Sequence, residues 1–128
     1  MAGKPQAKHN EELCELLLKN GKFSDWVITS AFYSALHYVE HEIFPCIDGT
    51  KSYSNFEEYY SRKHPLGQPS KHAVRKQLVA ARIPECSAAY NWLHDNCFNA
   101  RYNDYDVKPI FATVAKEKLD SLKSKCKK

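Results

Sequence analysis

Apolar residues in this chain recur three and four positions apart, which is the period of an amphipathic helix. Strands are hard to identify, because few stretches alternate apolar and polar residues. Glycine and proline separate the helical stretches from one another. The pattern predicts helices that begin near Asn10, Ser24, Ser70, Pro84 and Pro109.

The helix predicted to start at Ser24 and to end before Pro45 is apolar on nearly every side. One stripe along it consists of Ile28, Phe32, Leu36, Val39 and Ile43, and further apolar residues are Trp26, Val27, Ala31 and Ala35. A helix that is apolar all round is usually buried by neighbours on several sides. We therefore expect this helix at the centre of the fold.

Residues 45–69 interrupt the helical pattern with prolines, glycines and polar residues. This stretch is predicted to be a long irregular crossover with one short helix near residues 55–61. The other connections are short. The whole chain is then expected to be an all-α, up-and-down bundle of four or five helices.

Length and composition limit the class of protein. With 128 residues, of which 43% are hydrophobic, the chain is long enough for one core and too short to divide comfortably into two domains. Its longest apolar runs, Leu16–Leu18 and Ile110–Ala112, are far below the ~20 residues that cross a bilayer, and Met1–Pro5 has no apolar signal region. We therefore expect a cytoplasmic protein with no membrane segment.

Charge, cysteines and histidines indicate no metal and no cofactor. The five cysteines are scattered and form no C-x-x-C pair, which argues against a disulfide framework and a zinc knuckle. The net charge is +4, and we interpret the C-terminal lysines that supply much of it as complementing a helix dipole. His37 and His41 are the only histidines at i, i+4 spacing, but they do not form an H-E-x-x-H zinc motif, because Tyr38 and not glutamate follows His37 directly. No glycine-rich phosphate loop is present.

A polar strip lies on the otherwise apolar second helix. It consists of Ser30, Ser34, His37 and His41, at spacings of three and four, and Tyr33 flanks it. Because an unpaired buried polar group costs about 1–3 kcal/mol, the strip must meet solvent in a groove or complementary groups on another helix. A hydrogen-bonded core histidine is the simpler interpretation of His37 alone, and it stays open.

Two further clusters lie where helices are predicted to begin and end. Lys71 and His72 follow a predicted helix cap, where free N–H groups and both side chains can together receive an anion. Arg101 is followed by Asp104, whose carboxylate would orient the guanidinium, and by Tyr105. An exposed first-turn histidine and a structural ion pair are the simpler interpretations of these clusters taken singly.

Together the three motifs resemble those of HEPN domains associated with minimal nucleotidyltransferases. The segment Ser30–His37 resembles the small-x-Tyr-small-x-x-His pattern of their second helix. Ser70–His72 is similar to the start of their third helix, and Arg101–Tyr105 resembles their Arg-x-x-Asp-Tyr motif. The motifs follow the family order, so residues 8–126 are identified as a single HEPN-like helical domain.

The resemblance implies a compact helical bundle, usually a homodimer, that binds nucleotides or RNA in a groove between protomers. Many family members are metal-independent endoribonucleases with an Arg-x(4–6)-His motif. In this chain no histidine follows Arg101, and Asp106 stands five residues after it. Because a carboxylate there cannot supply a positive charge to the phosphorane that forms during cleavage, the sequence argues against the family's usual ribonuclease chemistry.

We therefore predict a HEPN-like domain that binds a nucleotide or RNA and acts with a nucleotidyltransferase partner or in a toxin–antitoxin-type system. The predicted ligand-binding residues are Ser34, His37, Lys71, His72, Arg101, Asp104 and Tyr105. One alternative is a metal-independent endoribonuclease that uses Arg101 with His37 or His72, and another is a purely structural homo-oligomeric bundle. The predicted site requires that His37, His72 and the stretch from Arg101 to Tyr105 converge on one hollow that solvent reaches.

Overall fold

The computed structural model describes residues 3–103 and 106–128, and helices form most of it. Its elements, in chain order, are α1 (Lys4–Asn20), α2 (Ser24–Ile43), β1 (Cys46–Asp48), β2 (Lys51–Tyr53), α3 (Phe56–Lys63), α4 (Lys71–Arg82), a 3-10 turn (Pro84–Cys86), α5 (Ser87–Tyr102) and α6 (Pro109–Lys125). The prediction of an all-α helical bundle is confirmed.

The two ends of α1 depend on a glycine and a proline. The helix ends at Asn20, and Gly21 follows with a φ of 79°, a left-handed conformation that residues with a side chain rarely adopt. Its start corrects the sequence-based prediction, because α1 begins at Lys4 and not near Asn10. Pro5 is favoured in the first turn, where its missing N–H has no helical partner to lose.

The starts of α2, α4 and α6 confirm the predictions from Ser24, Ser70 and Pro109. The hydroxyl oxygen of Ser70 caps α4 by accepting a hydrogen bond from the backbone N–H of Ala73 at 3.2 Å. Pro84 opens the 3-10 turn, and α5 begins only after that turn. Serine and proline residues in the sequence therefore placed these boundaries to within a few positions.

The crossover of residues 45–69 is more ordered than its composition indicated. The short helix is confirmed as α3, and the side chain of Asn55 caps it by accepting a hydrogen bond from the N–H of Glu58 at 2.8 Å. The antiparallel hairpin of β1 and β2, in which Cys46 pairs with Tyr53, was not predicted. Strands of three residues are too short to show a clear two-residue alternation.

As predicted, α2 lies at the centre and contacts α1, α4, α5 and α6. Phe32 in its middle is 2% exposed and packs against the fully buried Tyr90 of α5, with ring centroids 5.7 Å apart. Trp26 is an exception among the apolar residues that were expected to be buried on α2. It lies in the first turn and is 52% exposed.

No helix in residues 3–103 or 106–128 combines the length and the apolar character needed to span a bilayer. All five cysteines are free thiols, and four of them are buried. Burial raises the pKa of the Cys14 thiol to about 11, so this thiol stays protonated at neutral pH.

Candidate functional site

A shallow hollow opens between α2, α4 and α5. It is lined by Phe32, Tyr33, His72, His94, Cys97, Phe98, Arg101 and Tyr102. The hollow encloses about 40 Å³, far below the roughly 300–1,000 Å³ of typical ligand pockets. A ligand larger than a small anion must therefore lie across this hollow and not inside it.

Arg101 lies in the last turn of α5, where its side chain is exposed at the rim of the hollow. Its Nη1 donates a hydrogen bond to the hydroxyl oxygen of Tyr33 on α2, at 3.1 Å. Since a phenol is neutral at ordinary pH, this contact positions the guanidinium without cancelling its charge. The hollow therefore has a positioned positive group at its edge.

Two imidazoles line the hollow beside this arginine. His72 in the first turn of α4 and His94 in the middle of α5 have ring centroids 4.9 Å apart, and both rings contact Phe32. Burial lowers the pKa of His72, and nearby positive groups, including Arg75 and Lys76, lower it further. His72 is therefore mainly neutral at pH 7 and gains its proton in more acidic solution.

Asp95 connects α4 and α5 at the edge of this site. One of its carboxylate oxygens lies 2.9 Å from Nζ of Lys76 and 3.1 Å from Nδ1 of His94. The hydrogen bond from Lys76 is the main cause of the lowered pKa of Asp95, which keeps the carboxylate ionised. A carboxylate next to Nδ1 favours the tautomer with its proton on that nitrogen, so Nε2 of His94 is left as an acceptor.

His37 lies one helical turn from Tyr33 on α2 but does not line the hollow. Its Nδ1 is buried and has no hydrogen-bond partner among the residues that the structure describes. Burial lowers the pKa of His37, and the positive charge of Arg75 lowers it further. We therefore leave His37 out of the candidate site, because its half-buried side chain does not line the hollow.

Two other residues predicted to bind ligand instead contact residues of other helices. Ser34 is fully buried, and its hydroxyl donates a hydrogen bond to the carbonyl oxygen of Ala7 on α1 at 2.7 Å. Nζ of Lys71 lies 2.8 Å from a carboxylate oxygen of Glu57 on α3, and Lys71 does not line the hollow. We therefore leave Ser34 and Lys71 out of the candidate site.

The hollow brings together only part of the predicted set. His72 and Arg101 line it, whereas Asp104 and Tyr105 lie outside the described residues. Reasoning from the sequence missed His94, which precedes Arg101 by seven residues and so lies on the same face two turns earlier. The sequence analysis looked for a histidine after Arg101, whereas His94 comes before it.

A charged cluster connects the helices of the hollow to the crossover. Nε of Arg75 donates a hydrogen bond to a carboxylate oxygen of Glu40 at 2.6 Å, and its Nη2 lies 3.8 Å from Glu57. The guanidinium carbon also lies 4.2 Å from the ring centre of Phe56 on α3. His72 stands three residues before Arg75 on α4, so the positive charge of this cluster acts on the imidazole.

The described ranges, 3–103 and 106–128, contain no group of three or more His, Cys, Asp or Glu side chains placed to hold a metal ion. The hollow presents instead a guanidinium, two imidazoles and two phenols to a ligand. No family model matches the chain, and no curated protein or solved structure is significantly similar to it.

Proposed function

We propose that this chain is a HEPN-like domain that binds the phosphate group of a nucleotide or of RNA at the hollow between α2, α4 and α5. The supporting observation is that Tyr33, His72 and Arg101 come from three different helices and lie around the same small opening. Arginine and protonated histidine donate the charge-assisted hydrogen bonds that phosphate oxygens accept most strongly.

In this proposal Arg101 carries the permanent charge of the site. Its hydrogen bond to Tyr33 restricts the guanidinium before the ligand arrives, which reduces the entropy lost on binding. His72 in its protonated form donates to a phosphate oxygen, and the free Nε2 of His94 accepts a hydrogen bond from a ribose hydroxyl. Because the hollow encloses only about 40 Å³, a phosphate oxygen enters it and the nucleoside lies over the rim.

The resemblance supplies the biological setting of the proposal. HEPN domains of this kind act beside a nucleotidyltransferase or in toxin–antitoxin-type systems, and we extend that setting to this chain as a cytoplasmic homodimer. A second protomer would enlarge the shallow hollow into a groove. Copurification with a nucleotidyltransferase tests the proposed partner. The mass of the protein in solution tests the proposed homodimer, and a strict monomer would contradict it.

Isothermal titration calorimetry with ATP and with a short single-stranded RNA tests the phosphate site. We expect Arg101→Ala to weaken binding about 10- to 100-fold, because hydrogen bonds to charged groups contribute roughly 1.5–3 kcal/mol. Arg62→Ala on α3 is the matched control, since it removes the same charge from an exposed side chain outside the hollow. Absence of binding at millimolar ligand, or equal weakening by both variants, contradicts the proposal.

The pair of His72 and His94 also favours a second function, metal-independent RNA cleavage. One imidazole would take the proton of the ribose 2′-hydroxyl, and the other would protonate the leaving 5′-oxygen. Arg101 would stabilise the negative charge that develops on the phosphorus oxygens. Nε2 of His94 is an acceptor and would serve as the base, and His72 would be the acid in its protonated form, so the lowered pKa of His72 predicts faster cleavage in mildly acidic solution.

Incubation with RNA in the presence of EDTA distinguishes cleavage from binding. An enzyme of this kind would cut RNA without metal, and His72→Ala or His94→Ala would slow it roughly 100-fold or more. His37→Leu is the control, because His37 does not line the hollow and its loss should leave the rate nearly unchanged. RNA that is bound but stays intact would identify the domain as a binding module.

A further inference from the structure

Two aromatic side chains on α5 are exposed to solvent, although large apolar rings are usually buried. Phe98 is 53% exposed and Tyr102 is 67% exposed. They stand four residues apart on the same face of the helix, with ring centroids 4.8 Å apart. The pair forms a small aromatic surface that the described residues leave largely uncovered.

This aromatic surface is continuous with the hollow. Phe98 and Tyr102 both line the hollow together with Arg101 and His94. The guanidinium carbon of Arg101 lies 5.6 Å from the centre of the Tyr102 ring. A flat apolar surface and a positive group are therefore next to each other at the same rim.

A nucleotide has the complementary pair of features, because its ribose joins a flat base to an anionic phosphate. Stacking of a base on an aromatic side chain contributes enough to matter and tolerates any base, since every base has a π face. In a duplex the faces of the bases are covered by their neighbours, so only an unpaired base can stack on a protein ring. The hollow is too small for a base, which must then rest on a surface beside it.

We propose that Phe98 and Tyr102 form a base-stacking subsite that makes the domain prefer single-stranded RNA. This inference rests on the proposed function, because a phosphate held by Arg101 is what brings the base over the rings. The adjoining charge favours this occupant over an apolar protein surface, which would bury the guanidinium without an anionic partner. The subsite assigns a role to two rings that the phosphate site alone leaves unexplained.

Fluorescence anisotropy with two labelled oligomers tests the subsite. One is a short oligouridylate, and the other is an abasic ribose-phosphate oligomer of equal length and charge. We expect the native protein to bind the oligouridylate roughly 5- to 150-fold more tightly, which is the range of stacking on one ring. Annealing the uridylate to its complement should remove most of this preference.

Phe98→Ala tests the contribution of the rings separately from that of Arg101, because Phe98 has no described contact with the guanidinium. It should lose the preference for the oligouridylate while its affinity for the abasic oligomer stays unchanged. Phe23→Ala is the matched control, because Phe23 is 45% exposed just before α2 and does not line the hollow. Circular dichroism melts of both variants verify that they are folded.

The outcomes separate the two proposals. Equal affinity of the native protein for both oligomers overturns the stacking subsite and leaves the phosphate site intact. Absence of binding to either oligomer overturns the phosphate site and the subsite with it. If Phe98→Ala keeps the preference but changes the sedimentation coefficient, the rings are a contact between copies of the chain and the subsite is wrong.

Discussion

At the scale of single residues, His37 and His72 are both held towards their neutral forms. Burial is the main cause for each, and the charge of Arg75 acts in the same direction. In the unfolded chain a histidine titrates near pH 6.5, so below that pH the unfolded chain binds more protons than the folded protein. The stability due to these neutral rings is complete above about pH 6.5 and is lost as the pH falls through their folded-state pKa values.

We therefore predict that the free energy of unfolding decreases between about pH 7 and pH 5, and that His37→Leu reduces this decrease. The leucine cannot gain a proton, so one of the groups that oppose folding in acid is removed. Urea unfolding monitored by circular dichroism at both pH values measures the effect. His9→Leu, at an exposed position of α1, is the control and should keep the full decrease.

The prediction fails if His37→Leu loses as much stability on acidification as the native protein. Ligand binding should respond in the opposite sense, because protonation of His72 adds a positive charge at the hollow. On acidification the free energy of unfolding should therefore fall while the affinity for phosphate rises, and protonation of His72 contributes to both changes.

At the scale of the elements, the pair of Arg75 and Glu40 ties α4 to α2. Their side chains are only 13% and 22% exposed, so the carboxylate and the guanidinium are both largely removed from water. Burial raises the pKa of Glu40 even though the hydrogen bond from Arg75 opposes that shift. Each group therefore needs the other, and removing one leaves a desolvated charge behind.

We predict that Arg75→Met lowers the free energy of unfolding by about 3 kcal/mol, because it leaves Glu40 buried without its partner. The double variant Glu40→Leu with Arg75→Met should recover part of this loss, since no buried charge then remains. Lys71→Ala is the control, because its ion pair with Glu57 is exposed and should contribute under about 1 kcal/mol.

Urea unfolding measures the free energy of unfolding of the three variants and of the native protein. If Arg75→Met and Lys71→Ala are equally mild, Arg75 is not the residue that joins the two helices. A double variant that is less stable than Arg75→Met would show that the ion pair itself, and not the unpaired carboxylate, determines the loss.

The elements themselves could largely be predicted, because α2, for example, carries a helical apolar pattern between Ser24 and Pro45. The neighbour that each face meets could not. Spacing correctly places Ser34 and His37 close together on α2, but it does not say that Ser34 faces α1. The hairpin at residues 46–53 was not predicted for another reason. Its short strands are stabilised by pairing with each other and show no clear local sequence pattern.

At the scale of the whole molecule, the candidate site depends on contacts between helices that are remote in the chain. His72 and Arg101 were predicted from local motifs, and the packing of α4 against α5 brings them to the same hollow. His94 and the hydrogen bond between Arg101 and Tyr33 follow from helix packing, which no single segment encodes. Those contacts are what distinguish a site from a set of separate polar residues.

The central claim is that a phosphate binds between Arg101 and His72, and an NMR titration of the histidine ring signals tests it most directly. With ATP present, the pKa of His72 should rise, because phosphate oxygens stabilise the imidazolium. The ring signals of His9, on the exposed side of α1, should not respond to ATP. If saturating ATP leaves the pKa of His72 unchanged, the phosphate binds elsewhere or not at all, and the account is contradicted.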